Sequence, residues 1–202
     1  MKTKMMLAVT LAVAAVMVCG CGKKVETVGF LSDYSKLQKE SDSSLRYVKE
    51  GAVSKYSGFM IDPVKVVYAE NAKSKDKLTD QQIKDLTSFT NMKIREAVEK
   101  AGKVVVYQPG SGVARIRIAL TDMEKASAVS AIPQASLLGV GIGGASMEAE
   151  VVDSVTGEQI GAVVDSGKGS HIPFTNLGDW SSAKHVIGGW ADRFQKRLEE
   201  AK

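Results

Sequence analysis

Thr79-Asp80-Gln81-Gln82 opens the segment that most constrains this chain. A Thr followed three residues later by Gln is a capping box, in which each side chain satisfies a backbone N–H of the other's turn. Ile83, Leu86, Thr90, Ile94, Ala97, Val98 and Ala101 follow at helical spacing, and Gly102 supplies the stop. A helix with one apolar stripe must bury that stripe against another layer.

The surrounding segments read as strands. Val64 to Tyr68 is Val-rich and entered by Pro63, and Val104 to Tyr107 is short and apolar. Ile116, Ile118 and Leu120 alternate with Arg115, Arg117 and Ala119, the pattern of a strand with one wet face. Met147 to Asp153 and Gln159 to Asp165 are joined by Ser154-Val155-Thr156-Gly157-Glu158 as a hairpin. Segments 45–49 and 55–61 add two candidate strands. A second helix, capped by Asp179 or Ser181, carries the stripe Ala183, Val186, Ile187, Trp190, Phe194 and Leu198. Gly188 and Gly189 sit mid-helix, where each costs about 1 kcal/mol against Ala, and close approach of helix to sheet is the expected reason. The order predicts an α+β fold of two layers, a mixed, mostly antiparallel sheet with two amphipathic helices packed on it.

With 202 residues, the chain suits one domain and is too short for two comfortable ones. Its 44% hydrophobic and 25% charged content excludes collagen-like, disulfide-dense and wholly disordered classes. The first twenty residues read as removable. Losing Lys2 and Lys4 leaves 25 basic against 23 acidic residues. No dense basic stripe interleaved with aromatics appears, so no nucleic-acid partner is expected.

Lys2 and Lys4 precede an uncharged apolar run from Leu7 to Val18, the length of a signal-peptide core and too short to span a bilayer. Val18-Cys19-Gly20-Cys21 then resembles the bacterial lipobox, which implies cleavage after Gly20 and acylation of Cys21. Residues 1–20 are thus expected as a lipoprotein signal peptide, 21–28 as a tether and 29–202 as a single α+β domain. One acyl chain binds a membrane only marginally, and the resemblance implies two or three on Cys21. The mature chain would then hold no disulfide and no free thiol. Gly22 stands where an Asp would favour inner-membrane retention, which leans the expectation towards an outer-membrane anchor facing the periplasm.

Catalytic patterns are scarce. His171 and His185 are the two histidines, with no CxxC, HxxxH or HExxH spacing, so no metal and no cofactor are expected. His185 lies off the apolar stripe of its helix and reads as solvated. Asp165, Ser170 and His171 are sequence neighbours, whereas triads are assembled in space. Gly161 to Lys168 has the wrong spacing for a phosphate loop. Gly139-Val140-Gly141-Ile142-Gly143-Gly144 leads into a strand and not a helix N-terminus, so both are read as structural glycines. Glu148 and Glu150 share one strand face and read as solvated. Strands 115–120 and 147–152 are expected to be neighbours, with Arg115 and Arg117 on the same solvent side as the two glutamates. Asp33 and Tyr34 read as a capped turn with the ring packed at the domain edge. No enzyme is expected.

The segment Gly29-Phe30-Leu31-Ser32-Asp33-Tyr34-Ser35-Lys36-Leu37, the strand entered by Asp62-Pro63, the Gly-rich run before Met147-Glu148-Ala149-Glu150 and the terminal amphipathic helix are similar to a bacterial envelope lipoprotein family, domain of unknown function 3313. The resemblance spans about residues 29–200. It implies an envelope lipoprotein and supplies no catalytic residues. The element order is also similar to small envelope lipoproteins that serve assembly machines, an analogy of fold alone.

Residues 126–146 pass without a charge. Val129, Ile132, Leu137, Leu138, Val140 and Ile142 are spaced by small residues, and Pro133 and the glycines oppose a stable helix. Exposed apolar patches mark interfaces, so Leu137, Leu138, Val140 and Ile142 form the expected contact segment. The alternative is a loop tucked on the domain's own core. The expected function is a non-enzymatic, lipid-anchored envelope protein of partner-binding or assembly type, joined to the membrane through Cys21 and to an envelope protein or its own copies. The alternative is a small-ligand or lipid-binding lipoprotein with a pocket between helix and sheet.

Overall fold

Strand β6 (Val113–Glu124) is the axis of the molecule. Its inward residues Ile116, Ile118 and Leu120 are all but fully buried. In this computed structural model, residues 25–127, 129, 132, 134, 141–169 and 180–201 are described. The other strands are β1 (Gln38–Ser41), β2 (Ser44–Val48), β3 (Gly58–Ile61), β4 (Lys65–Val66), β5 (Val104–Val106), β7 (Gly144–Asp153) and β8 (Gln159–Lys168). The helices are α1 (Asp80–Lys100) and α2 (Ser181–Glu200).

The sheet runs β1-β2-β8-β7-β6-β3-β5, and β4 also pairs with β6. β1, β2, β8, β7 and β6 are antiparallel in succession, while β3, β4 and β5 pair in parallel. The α+β architecture with a mixed sheet and two helices is therefore present. β3 and β4 follow β6 one after the other, broken at Pro63, which has no N–H for a ladder. The expected strand from Val64 to Tyr68 shortens to Lys65–Val66, although the Val67 and Ala69 N–H groups still donate to the Leu120 and Thr121 carbonyls. The polar edge strand β1 is exposed throughout, with Lys39 and Glu40 on it, a composition that discourages further strand addition.

Helix α1 starts as its sequence requires. The Gln82 N–H donates to Thr79 Oγ1 at 3.3 Å, and the Thr79 N–H donates to Gln82 Oε1 at 3.0 Å. It ends in a Schellman motif. Gly102 takes φ +75°, its N–H donates to the Glu99 carbonyl, and the Lys103 N–H donates to the Val98 carbonyl. Helix α2 differs from expectation. Trp180 is its N-cap, with no side-chain capping bond; Ser181 is already helical, and Asp179 lies outside the described residues.

Both helices lie on one face. Leu86, Ile94 and Val98 of α1 and Ala183, Ile187, Trp190 and Leu198 of α2 are buried against it. Close approach is provided by the sheet and not by the helix. A Cβ on Gly167 would stand 2.6 Å from Val186 Cγ1, and one on Gly169 would stand 2.5 Å from Ser182 Cβ. A Cβ on Gly188 would meet nothing within 4 Å, and on Gly189 only the Arg193 Nη1 at 3.6 Å. The packing role expected of Gly188 and Gly189 is thus corrected. On the opposite face, Leu31, Ala162 and Val164 form a smaller core with Phe30, Tyr34 and Leu45. Among the described residues, no helix is long and apolar enough to cross a membrane.

Candidate functional site

β6 and β7 are neighbours, as their alternation predicts, with Arg117 opposite Glu150 and Ala119 opposite Glu148. Arg117 Nη1 is ion-paired to Glu150 Oε1, and Arg115 Nε pairs with Asp62 Oδ1 at 2.8 Å. The solvated reading of the two glutamates is corrected. Glu148 is 0% exposed and Glu150 1%. What buries them is the segment Val28 to Tyr34, irregular backbone that bends at Gly29, Leu31 and Ser32 and crosses β7 as a strap.

Alternate residues of the strap point their N–H groups at the carboxylates. The Val28 N–H donates to Glu148 Oε1 at 2.6 Å, and the Phe30 N–H and the Tyr34 hydroxyl donate to Oε2. The Ser32 N–H and hydroxyl and the Gln159 amide all donate to Glu150 Oε2, at 2.9, 2.7 and 2.9 Å. The Arg117 guanidinium also lies over the Phe30 ring at 5.3 Å. Burying a carboxylate is costly unless donors surround it, and here every carboxylate oxygen has at least one. These acids hold the strap; they do not face each other across a cleft. Burial, and then the hydrogen bond to Glu148, pushes the Tyr34 phenol up to about 12. Asp33 forms the expected turn, accepting from the Ser35 N–H at 2.8 Å and its hydroxyl at 2.7 Å. Those bonds, with Lys36 beside them, hold its carboxyl below the ordinary value.

The opposite face is only partly covered. Seven strand positions about 4.8 Å apart span roughly 30 Å, whereas two helices about 10 Å wide cover roughly 20 Å. α1 lies over β3, β4 and β5, and α2 over β6, β7 and β8. The β2 end of that face is left as a groove beside α2, with a cavity of about 330 Å³. Ile118, Val151 and Val163 form its floor, and Trp190, Phe194 and Leu198 form its wall.

Arg46, Arg193 and Arg197 line this groove together with the carboxylates of Glu40, Glu150, Asp165 and Glu200. Glu40 Oε1 is shared, 2.8 Å from Arg46 Nε and 3.1 Å from Arg197 Nη2, while Arg193 Nη2 is 2.6 Å from Asp165 Oδ2. Burial and the neighbouring Arg46 charge lower the Arg197 pKa. One buried donor in the lining has no partner among the described residues. Trp190 is 4% exposed and its Nε1–H has no acceptor among the described residues. Arg46 Nε is held by its ion pair with Glu40.

The other candidate positions separate. Cys21, Leu137, Leu138, Val140 and His171 lie outside the described residues. Ile142 is 2% exposed, so it belongs to the core and is not an exposed contact, whereas Val129 and Ile132 are 44% and 52% exposed. Gly143 and Gly144 are structural, since a Cβ on Gly144 would stand 2.2 Å from the Gly167 carbonyl oxygen. His185 is exposed on α2. Among the described residues, no three His, Cys, Asp or Glu side chains are grouped to hold a metal ion.

The family described as "Protein of unknown function (DUF3313)" matches residues 26–194, from the strap to α2. The chain belongs to that family. No curated protein matches it. Two solved structures are similar in chain path, both of PelC from Paraburkholderia phytofirmans. One is a dodecamer at 10% identity and TM-score 0.46; the other is a dodecamer of a point variant at 12% and 0.45. Each comparison covers 76% of this chain and 96% of the other.

Proposed function

We propose that this chain is a lipid-anchored protein of the bacterial envelope that works by binding and not by catalysis. The groove between α2 and the sheet carries this reading and favours a small amphipathic ligand. Its volume of about 330 Å³ falls at the lower end of ordinary ligand sites, and its lining pairs a broad apolar surface with a few polar groups. The buried carboxylates of β7, saturated by the strap, are not free for acid–base work.

The anchor reading rests on Lys2, Lys4, the apolar run and Cys21, and Gly22 inclines it to the outer membrane. From Cys21 to Val28 the chain can reach at most roughly 25 Å. The strap therefore holds the domain within that distance of the bilayer surface. A second reading, a protein partner or a second copy docking on the uncharged stretch 126–146, is supported by the exposure of Val129 and Ile132.

Native mass spectrometry of the full chain released from membranes tests the ligand reading. One added amphiphile of twelve to eighteen carbons should bind per chain. A Val163→Trp variant, which fills the groove, should take up none while keeping its thermal midpoint. Absence of uptake by the unaltered chain, whatever the head group, would overturn it.

A further inference from the structure

One end of the sheet brings the start of the strap beside two exposed apolar side chains. β6 ends there at Glu124, opposite Gly144 of β7, which is in turn opposite Lys168 of β8. Glu26 accepts from the Asn71 N–H and side-chain amide, each at 3.4 Å, so the chain enters the strap beside the loop between β4 and α1. Lys73 of the same loop is ion-paired with Glu124 at 3.0 Å. Lys125, the next residue along, holds its Nζ 5.0 Å from the centre of the Trp180 ring, at the N-cap of α2. Val129 lies four residues beyond Lys125, within roughly 14 Å of chain, and both it and Ile132 are exposed. The Ile132 N–H donates to the Val129 carbonyl at 3.1 Å, so the two side chains share one turn.

We propose that this end of the domain rests on the bilayer that holds Cys21, with Val129 and Ile132 inserted among the lipids and Trp180 and Lys125 at the level of the head groups. This rests on the anchor reading above and adds the face that meets the membrane. From Cys21 to Val25 the chain can reach at most roughly 14 Å, so the bilayer lies close to where the strap begins. A tether this short makes the contact intramolecular, and a small patch then suffices, because its effective concentration is set by the tether. The side chains have the chemistry of a membrane interface. Aliphatic groups bury, a half-buried indole sits between apolar and wet, and the long stem of a lysine lets its ammonium reach a phosphate. Net charge does not carry the contact. Lys73 is paired with Glu124, and Glu70 and Asp76 offset Lys75 and Lys77 in the same loop. The contact is therefore apolar, and salt and anionic lipid leave it unchanged. Val155, in the turn between β7 and β8, is exposed too, but the ten residues of β7 place it roughly 30 Å away at the other end.

The experiment uses the full chain, extracted from its native membranes and reconstituted in nanodiscs. Val129→Cys, Ile132→Cys and Val155→Cys each carry an environment-sensitive fluorophore on the new thiol. All three positions are exposed, so the substitutions remove no core contact. Nitroxide-bearing lipid in the discs should quench the label at 129 and at 132 and leave the label at 155 at full emission. The quenching should be the same in low and high salt, and the same with zwitterionic lipid alone as with anionic lipid added. Full emission at 129 and 132 while the chain stays in the discs overturns the docking and leaves the anchor standing. Equal quenching at 155 and 132 overturns the assigned face. A blue shift at 132 without quenching, growing with the number of chains per disc, assigns the patch to a second copy and overturns the bilayer contact. Quenching lost in high salt or without anionic lipid overturns the apolar contact. Labelling of Cys21 in the unaltered chain, or its loss from the discs, overturns the anchor and the docking with it.

Discussion

Ser32 meets Glu150 twice across 118 residues of sequence, its N–H at 2.9 Å and its hydroxyl at 2.7 Å from one carboxylate oxygen. The same oxygen accepts from Gln159, and the other is paired with Arg117. A carboxylate so buried is the fastening point of the strap that leads back towards Cys21.

Removing that point should cost far more than removing one donor. Glu150→Ala leaves Arg117 and the Ser32 N–H without their acceptor and the Gln159 amide with only the Asp33 carbonyl, and should destabilise the domain by about 3–5 kcal/mol. Ser32→Ala keeps the backbone bond and should cost about 1 kcal/mol. Thermal melts of the two variants check the ordering; equal losses would show that the strap is not held through Glu150.

The strap should also be alkali-sensitive. Tyr34 in the fold has its pKa raised above the ordinary 10.0 to about 12, by burial first and then by its bond to Glu148. The folded state therefore favours the protonated phenol. Its contribution is fully present below pH 10 and is lost as pH rises from there through about 12. Tyr56, raised to about 12 by burial and by donating to Asp153, titrates in the same window. Tyr34→Phe should flatten part of the alkaline fall in stability and Tyr56→Phe another part, read from thermal midpoints between pH 9 and 12.

Local signals were legible in the sequence where everything they needed was local. Thr79, Gln82, the helical spacing and Gly102 place α1 almost to the residue. The alternation at Ile116, Ile118 and Leu120 gives β6, and the opposed charges of Arg117 and Glu150 give its pairing with β7. Glu148 and Glu150 misled because their cover lies some 120 residues away, and much of it is backbone N–H, which no side-chain pattern announces. The groove was legible only as an alternative. It exists because the β1–β2 hairpin widens the sheet beyond what two helices cover, and β1 reads as polar loop. Its arginines come from β2 and α2, far apart in sequence. Gly188 and Gly189 looked like packing glycines, but the glycines that the packing needs are on or just beyond β8.

The glycine assignment predicts opposite signs for similar substitutions. Gly188→Ala meets open space in a helix interior and should stabilise by about 0.5–1 kcal/mol. Gly167→Ala drives a Cβ to 2.6 Å from Val186 and should destabilise. Denaturant melts of the two variants should move in opposite directions.

The proposed acylation of Cys21 predicts a loss that is chemical and positional at once. Cys21→Ser should abolish incorporation of labelled palmitate and release the chain from membranes into the soluble fraction. Pelleting of that variant after a carbonate wash would contradict the anchor.

The groove beside Trp190 is the proposed ligand site, and the Trp190 indole N–H reports on it directly. The chain has two tryptophans, so Trp180→Phe assigns the remaining indole signal in an NMR spectrum of the full chain in nanodiscs. Dodecanoate should shift that signal saturably at one molecule per chain. An indole signal unmoved up to saturation of the membrane with dodecanoate would show that the groove is not a ligand site.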